Sequence, residues 1–319
     1  MSPFETTGTL TKLGFSASFL TNFFLNYITI FHIKHISGTY KHMVLYFSTI
    51  GILFSGLEVV TRPFAHNYNN ALFFFSTSTL SISSSILQLL ITSWAGCYLI
   101  IVSFIAVQFV YRYLSLSGNK MADRFDGLRT VLWLLYPILI GAIYTLLICL
   151  LSQPDNYTDD YIKAEVYKNY GVPPTSFPRF VIVPYESDGS LSIKNWVVLA
   201  YSVSMISLHY SVILYCGLKM HLNMKDQLEK FSISQRNLQR QMFKALVVQS
   251  LGPTIFLVIP AGPVLLSPLI PPSFGMKISW QTGWLFPLIG LYPPFDSIAF
   301  MLIVSEYRKV IKSEFRVSY

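Results

Sequence analysis

The chain has 319 residues, 53% of them hydrophobic, 16% aromatic and only 12% charged, with a formal net charge of +8. An ordinary soluble domain carries about 25% charged residues, so this composition leaves too little polar surface to meet water on all sides and excludes a conventional soluble enzyme or binding module. Long apolar runs without strand-length alternation select membrane-crossing helices over a barrel, because backbone in lipid must satisfy its hydrogen bonds internally.

A crossing helix needs about 20 apolar residues. In chain order the spans expected are 13–33, 43–61, 87–111, 129–151, 195–218, 241–266 and 281–304, within one seven-span unit covering 1–319. The run before residue 33 is too long for a signal-peptide core and has no small-residue cleavage site, so it reads as a retained first span. His32, His35 and His42 at its far end read as interfacial histidines, not a metal site.

The stretch 71–111 exceeds one helix, but Ser76–Ser85 is rich in Ser and Thr. Residues 62–86 are therefore expected to be an outer loop plus a helix start, with an eighth span as the alternative. Charge separates the two. With seven spans, one face collects sixteen of the 23 Lys and Arg residues, including Lys34, Lys120, Arg124 and Lys230, and the other collects seven. Cytoplasmic loops carry the Lys/Arg excess, which sets the N-terminus outside and the C-terminus inside. An eighth span would put basic loops on opposite faces. The sequon Asn156-Tyr157-Thr158 then falls in the outer loop 152–194, a candidate glycosylation site among six acids.

Within the spans, the third has a small or polar stripe at Gln88, Thr92, Gly96 and Ser103, which lies on one helical face and either lines a cavity or packs helices. Tyr111-Arg112-Tyr113 closes that span and reads, alone, as a snorkelling arginine between belt tyrosines. His209 in the fifth span reads as an interhelical hydrogen-bond partner. Ionisable residues elsewhere are few, with Glu58 in the second span and Asp296 in the seventh. They cannot form the charge relay of a proton-coupled transporter. Pro253 and Pro260 in the sixth span, and Pro287, Pro293 and Pro294 in the seventh, provide places where those helices bend. Cys97, Cys149 and Cys216 all sit in apolar runs, so they read as packed side chains with no disulfide framework. Ser305 onward reads as a short amphipathic helix in the inner interface, with Tyr307, Val310 and Ile311 on one side and Arg308, Lys309 and Lys312 around it. No hydrolase, metalloprotease, phosphate-binding or dinucleotide motif is present; no cofactor, metal or nucleic-acid partner is expected.

In order and spacing, five landmarks resemble the nematode serpentine chemoreceptors of the Str superfamily, in its Str or Srj branch. They are Arg62-Pro63-Phe64-Ala65-His66, Phe109 to Tyr113, Gln241 to Gln249 followed by Pro253 and Pro260, Tyr292-Pro293-Pro294-Phe295-Asp296, and Tyr307-Arg308. The resemblance implies a seven-transmembrane G-protein-coupled receptor in the plasma membrane, in the cilium of a chemosensory neuron, that binds a small odorant or pheromone and activates a heterotrimeric G protein. It assigns Arg112, flanked by Tyr111 and Tyr113, to the resting state and to G-protein contact, and Tyr292, Pro293 and Asp296 to a switch in the seventh helix. One departure is Asp296-Ser297 where the family usually has Asp-Pro. Depth and inward polarity suggest Gln88, Thr92, Tyr201 and Trp284 as ligand contacts. An odorant-gated channel and a small-molecule transporter remain the competing classes.

Overall fold

A computed structural model of the chain describes residues 3–33, 38–117, 125, 127, 129–228, 232–283 and 285–316. Seven helical spans long and apolar enough to cross a bilayer form the bundle. The first four are α1 (Pro3–Phe31), α2 (Gly38–Thr61), α3 (Ser84–Leu116) and α4 (Arg129–Leu151). After α5 (Asn156–Tyr170), which lies outside the bundle, the fifth span is α6 (Ile193–Leu228). The sixth is composite: α7 (Ile233–Pro253), a π-helical turn Thr254–Val258, and α8 (Ile259–Leu266). The seventh is α9 (Leu285–Gly290) followed by α10 (Tyr292–Ile303), and α11 (Ser305–Arg316) comes last. Lys34, His35, Lys120, Arg124 and Lys230 of the expected basic face lie outside the described residues.

The breaks follow from proline. Pro253 has no N–H to offer the carbonyl four residues back, and the helix relaxes there into the wider turn in which the Ile259 N–H reaches the Thr254 carbonyl. Pro293 and Pro294 leave two further carbonyls without helical donors, and the seventh span interrupts at Leu291. Its start also differs from the expected 281: Ser279–Gln281 is a strand, and helix begins only at Leu285.

In the segment 62–86, expected as loop plus helix start, the helix does start, at Ser84, but the loop before it contains a β-hairpin, β1 (Pro63–Tyr68) and β2 (Ala71–Ser76), turning at Asn69 in the left-handed region (φ 48°). With β3 (Arg179–Ile182) and β4 (Ser279–Gln281) it makes an antiparallel sheet ordered β3-β2-β1-β4. The bundle is thus helical as expected, with this small sheet added across one end. Backbone leaving a helix must still pair its N–H and C=O groups, and four short segments do so with one another.

Sheet and α5 form a cap with a core of its own. Alternation divides the strands: Ala71, Phe73, Phe75, Val181 and Val183 pack with Ile162 and Val166 of α5, while Leu72, Phe74, Phe180 and Ile182 turn toward the bundle. Asp155 caps α5 by accepting from the Thr158 N–H at 2.8 Å while the Thr158 hydroxyl accepts from the Asp155 N–H at 2.9 Å, and Gly171, at φ 72°, ends it.

Candidate functional site

Helices α3 and α4 approach closely where Gly96 meets Gly141: a Cβ on Gly96 would stand 2.7 Å from the Gly141 carbonyl oxygen. Along the same seam the Thr145 hydroxyl donates to the Thr92 carbonyl at 3.2 Å, and the Thr92 hydroxyl lies 3.2 Å from Cys149 Sγ. The polar stripe of the third span is therefore a packing seam. Gln88 donates to the Arg179 carbonyl at 3.1 Å, tying α3 to β3, and the Tyr201 hydroxyl donates to the Ile140 carbonyl at 3.0 Å. None of Gln88, Thr92 or Tyr201 lines the cavity described next, and Trp284 lies outside the described residues. The polar groups of Gln88, Thr92 and Tyr201 are hydrogen-bonded to backbone carbonyls. His209 bridges α4 and α6, with Nε2 2.9 Å from the Tyr136 hydroxyl and Nδ1 2.6 Å from the Met205 carbonyl.

The cavity, about 100 Å³, lies directly under the sheet. Its wall combines Trp94, Ala95, Tyr98 and Leu99 of α3, Tyr144 and Ile148 of α4, and Ser202 and Ile206 of α6. Ala261, Val264 and Leu265 of α8 and Leu285, Phe286 and Ile289 of α9 close another side, and Ala65, Leu72, Phe74, Phe180 and Ile182 form the roof. Trp94 sits among aromatic rings, stacked on Phe54 (5.1 Å, 21°) and tilted against Phe286 (5.1 Å, 52°). Such a wall excludes ions and favours an apolar guest. Trp94 and Tyr98 are visible in the sequence as aromatics on the third span, but only tertiary packing reveals that they share a hollow.

About two turns beyond the cavity on the seventh span, Asp296 is buried and accepts from Gln249 of α7 (3.0 Å) and from the Tyr292 hydroxyl (3.4 Å). Ser297, the departure from the family pattern, donates to Asn22 of α1 at 2.7 Å, and Pro293 packs against Gly51 of α2. Spans one, two, six and seven meet in this polar knot. Pro253 lies four residues past Gln249, at the edge of the π-helical turn, and Pro260 is buried in α8.

Arg112 is buried too, contrary to a snorkelling arginine. Its guanidinium stacks 3.6 Å from the Tyr40 ring centroid of α2, and its Nε has no hydrogen-bond partner. Tyr111 packs on Phe125, and Tyr113 reaches the Tyr215 ring of α6. No ion pair among the described residues includes Arg112. Nearby, Tyr307 of α11 is fully buried with its hydroxyl 3.0 Å from Thr29 Oγ1, while Arg308, Lys309 and Lys312 are exposed.

At the cap, Asn156 is exposed at the start of α5. All three cysteines are free, and no cluster of three or more His, Cys, Asp or Glu residues suited to a metal exists among the described residues.

Comparison with known proteins agrees with this architecture. The chain is 34% identical over 318 residues to the G-protein coupled receptor str-33 of Caenorhabditis elegans, covering 98% of this chain and 91% of that one. It is 25% identical to the serpentine receptor class r-10 of the same species, covering 86% and 80%, and 23% identical to its serpentine receptor class J-38, covering 88% and 84%. The family model described as serpentine type 7TM GPCR chemoreceptor Str matches residues 7–312, and the chain belongs to that family of multi-pass membrane receptors.

Proposed function

We propose that the whole chain works as one chemosensory receptor unit that holds a small apolar odorant or pheromone in the cavity under the sheet and activates a heterotrimeric G protein. One observation carries this reading: the cavity wall is made by the two broken spans, through Val264 and Leu265 beyond the π-helical turn and through Phe286 and Ile289 just before the Tyr292–Asp296 knot. A guest pressing on these side chains acts on helices already interrupted by proline, where bending is cheap. A ligand that prefers one arrangement of the two spans shifts the population toward it.

The cap faces outward in this reading and α11 lies on the cytoplasmic face, a topology supported by the sixteen-to-seven division of Lys and Arg. Asn156 is then available for glycosylation, and the exposed Arg308, Lys309 and Lys312 face anionic lipid. Arg112, stacked on Tyr40 with an unpartnered Nε, holds α3 to α2 at rest and supplies a donor to the G protein once the inner ends part. The ciliary membrane of a chemosensory neuron is the proposed site of action.

The test is signalling in cells expressing the full chain, with glycosidase sensitivity at Asn156 and antibody access to a C-terminal tag read in parallel. The expected outcome is a glycosylated Asn156, a tag hidden until permeabilisation, an odorant response, and loss of at least nine-tenths of that response in Arg112→Ala at equal surface level. A surface-accessible tag would replace this reading with a channel, and undiminished signalling by Arg112→Ala would remove the role given to that residue.

A further inference from the structure

Trp94 and Tyr98 stand one turn apart on α3, both line the cavity, and both are buried. Neither the indole Nε1 of Trp94 nor the hydroxyl of Tyr98 has a hydrogen-bond partner. Other polar groups of the wall are engaged within the protein. The Ser202 hydroxyl donates to the Leu199 carbonyl at 2.9 Å, and the Thr282 hydroxyl donates to the Ala65 carbonyl at 3.0 Å. A buried donor stripped of water and given no acceptor is destabilising, and native structures keep few of them. Two on successive turns of one helix, in the wall of one apolar cavity, call for an acceptor that arrives with the guest.

Building on the receptor reading, we propose that Trp94 and Tyr98 are the specificity determinants of this cavity, selecting an uncharged molecule that carries a hydrogen-bond acceptor with two lone pairs and no donor, as in a ketone, aldehyde or ester. Indole N–H only donates, and a carbonyl oxygen accepts from it and from the tyrosine hydroxyl together. An alcohol in that position uses its own hydrogen on Tyr98 and leaves one donor unmatched. A carboxylate or an ammonium enters a wall with no counter-charge and loses its hydration. Size limits the rest: an apolar cavity of 150 Å³ holds benzene, so about 100 Å³ admits a smaller guest, of about four or five non-hydrogen atoms.

The full chain in lipid nanodiscs, titrated with 2-butanone, 2-butanol and butane while its thermal unfolding is followed, tests the proposal. The ketone is expected to bind at least tenfold more tightly than the alkane, with the alcohol between them. Tyr98→Phe removes only the oxygen. It is expected to cut the ketone-to-alkane ratio by about three- to tenfold, and to raise the melting temperature of the unliganded receptor, since the lost hydroxyl had no partner. A hydroxyl with a purely structural role would lower that temperature. Trp94→Phe changes the cavity volume as well, and the ratio to butane corrects for it; the ratio is expected to fall again. A ketone that shifts the transition no more than butane does, or a ratio unchanged in Tyr98→Phe, overturns the proposal. Selective ketone binding with a silent cellular assay overturns the receptor reading alone, whereas a cellular response with a flat binding series overturns only this one.

Discussion

Asp296 is a carboxyl buried where four spans meet, and what it accepts explains why it is tolerated there. Gln249 and Tyr292 both donate to it, so removing the side chain strands two donors in a dry site. Asp296→Ala is expected to destabilise the purified receptor by about 2 kcal/mol. Asp296→Asn keeps an oxygen for Gln249 and should cost less than half as much. Equal losses in chemical denaturation would mean that the hydrogen bonds are not what the residue contributes. Glu58 is a second buried acid, with Oε1 accepting from Thr11 at 3.4 Å and with Gly290 so close that a Cβ there would lie 2.7 Å from the carboxylate. At this scale the sequence was informative about identity and poor about environment. That Asp296 belongs to a special stretch was readable from the prolines beside it. That Arg112 lies under Tyr40 was not, since the two are 72 positions apart and only the approach of α2 to α3 brings them together.

Among the elements, the seam between α3 and α4 depends on two glycines facing each other. A Cβ on Gly141 would lie 2.5 Å from the Gly96 carbonyl oxygen and 2.5 Å from Ile100 Cγ1, so backbone and not merely a side chain must move. Gly141→Ala is expected to cost about 1–3 kcal/mol by overpacking and to lower surface expression, measured by flow cytometry against the wild type. Gly262→Ala, where a Cβ meets nothing within 4 Å, should be neutral or stabilising, because alanine is the better helix former. If both variants behave alike, close approach is not the determinant. The stripe at Gln88, Thr92, Gly96 and Ser103 was legible as one face of a helix, and its packing role follows from small residues letting backbones touch. The strands were harder to read. Ala71 to Ser76 is buried on both faces, which erases the alternation that marks a half-buried strand. The pair Asn69-Asn70 between two apolar runs was the available turn signal.

Across the whole molecule, seven spans and a chemoreceptor family resemblance were legible because hydropathy and proline spacing are written locally. The cap was not, since its sheet unites segments from three distant parts of the chain. The joint between them centres on the one histidine in these segments. His66 lies with Nδ1 2.9 Å from the Tyr170 hydroxyl and Nε2 3.4 Å from Ser279 Oγ, which in turn donates to Glu165 at 2.5 Å. Asn169 donates to the same carboxylate, and Lys168 stands 4.0 Å from it. Burial holds His66 below its ordinary 6.5 despite the upward pull of Glu165; the Ser279 hydrogen bond foremost holds Glu165 below 4.5. Both folded-state values are depressed, so the unfolded cap binds more protons and stability rises with pH and is lost as pH falls. The histidine contribution is complete above about 6.5 and is lost as pH drops from there through the lower folded value. Protection of the β1 and β4 amides, taken relative to their intrinsic base-catalysed exchange at each pH, is expected to be constant from pH 8 to 7 and to fall below 6.5. His66→Phe should abolish that loss of protection above pH 5, and its persistence in that variant would assign it elsewhere.

The sheet has a mechanical meaning as well. β1 follows the second span directly, β4 stands three residues before α9, and β3 leads toward the fifth span. Asn67 fastens the hairpin to the end of the sixth span through Val264 and Ser267, and Gln88 fastens the third span to β3. A bundle clasped at one end behaves as a set of levers with a common fulcrum. Displacements near the fulcrum are small and grow along each shaft, so a shift of a fraction of an ångström beside Phe286 becomes a larger excursion at the far ends of the sixth and seventh spans. The proline breaks lie between the clasp and those ends, as hinges partway along the levers.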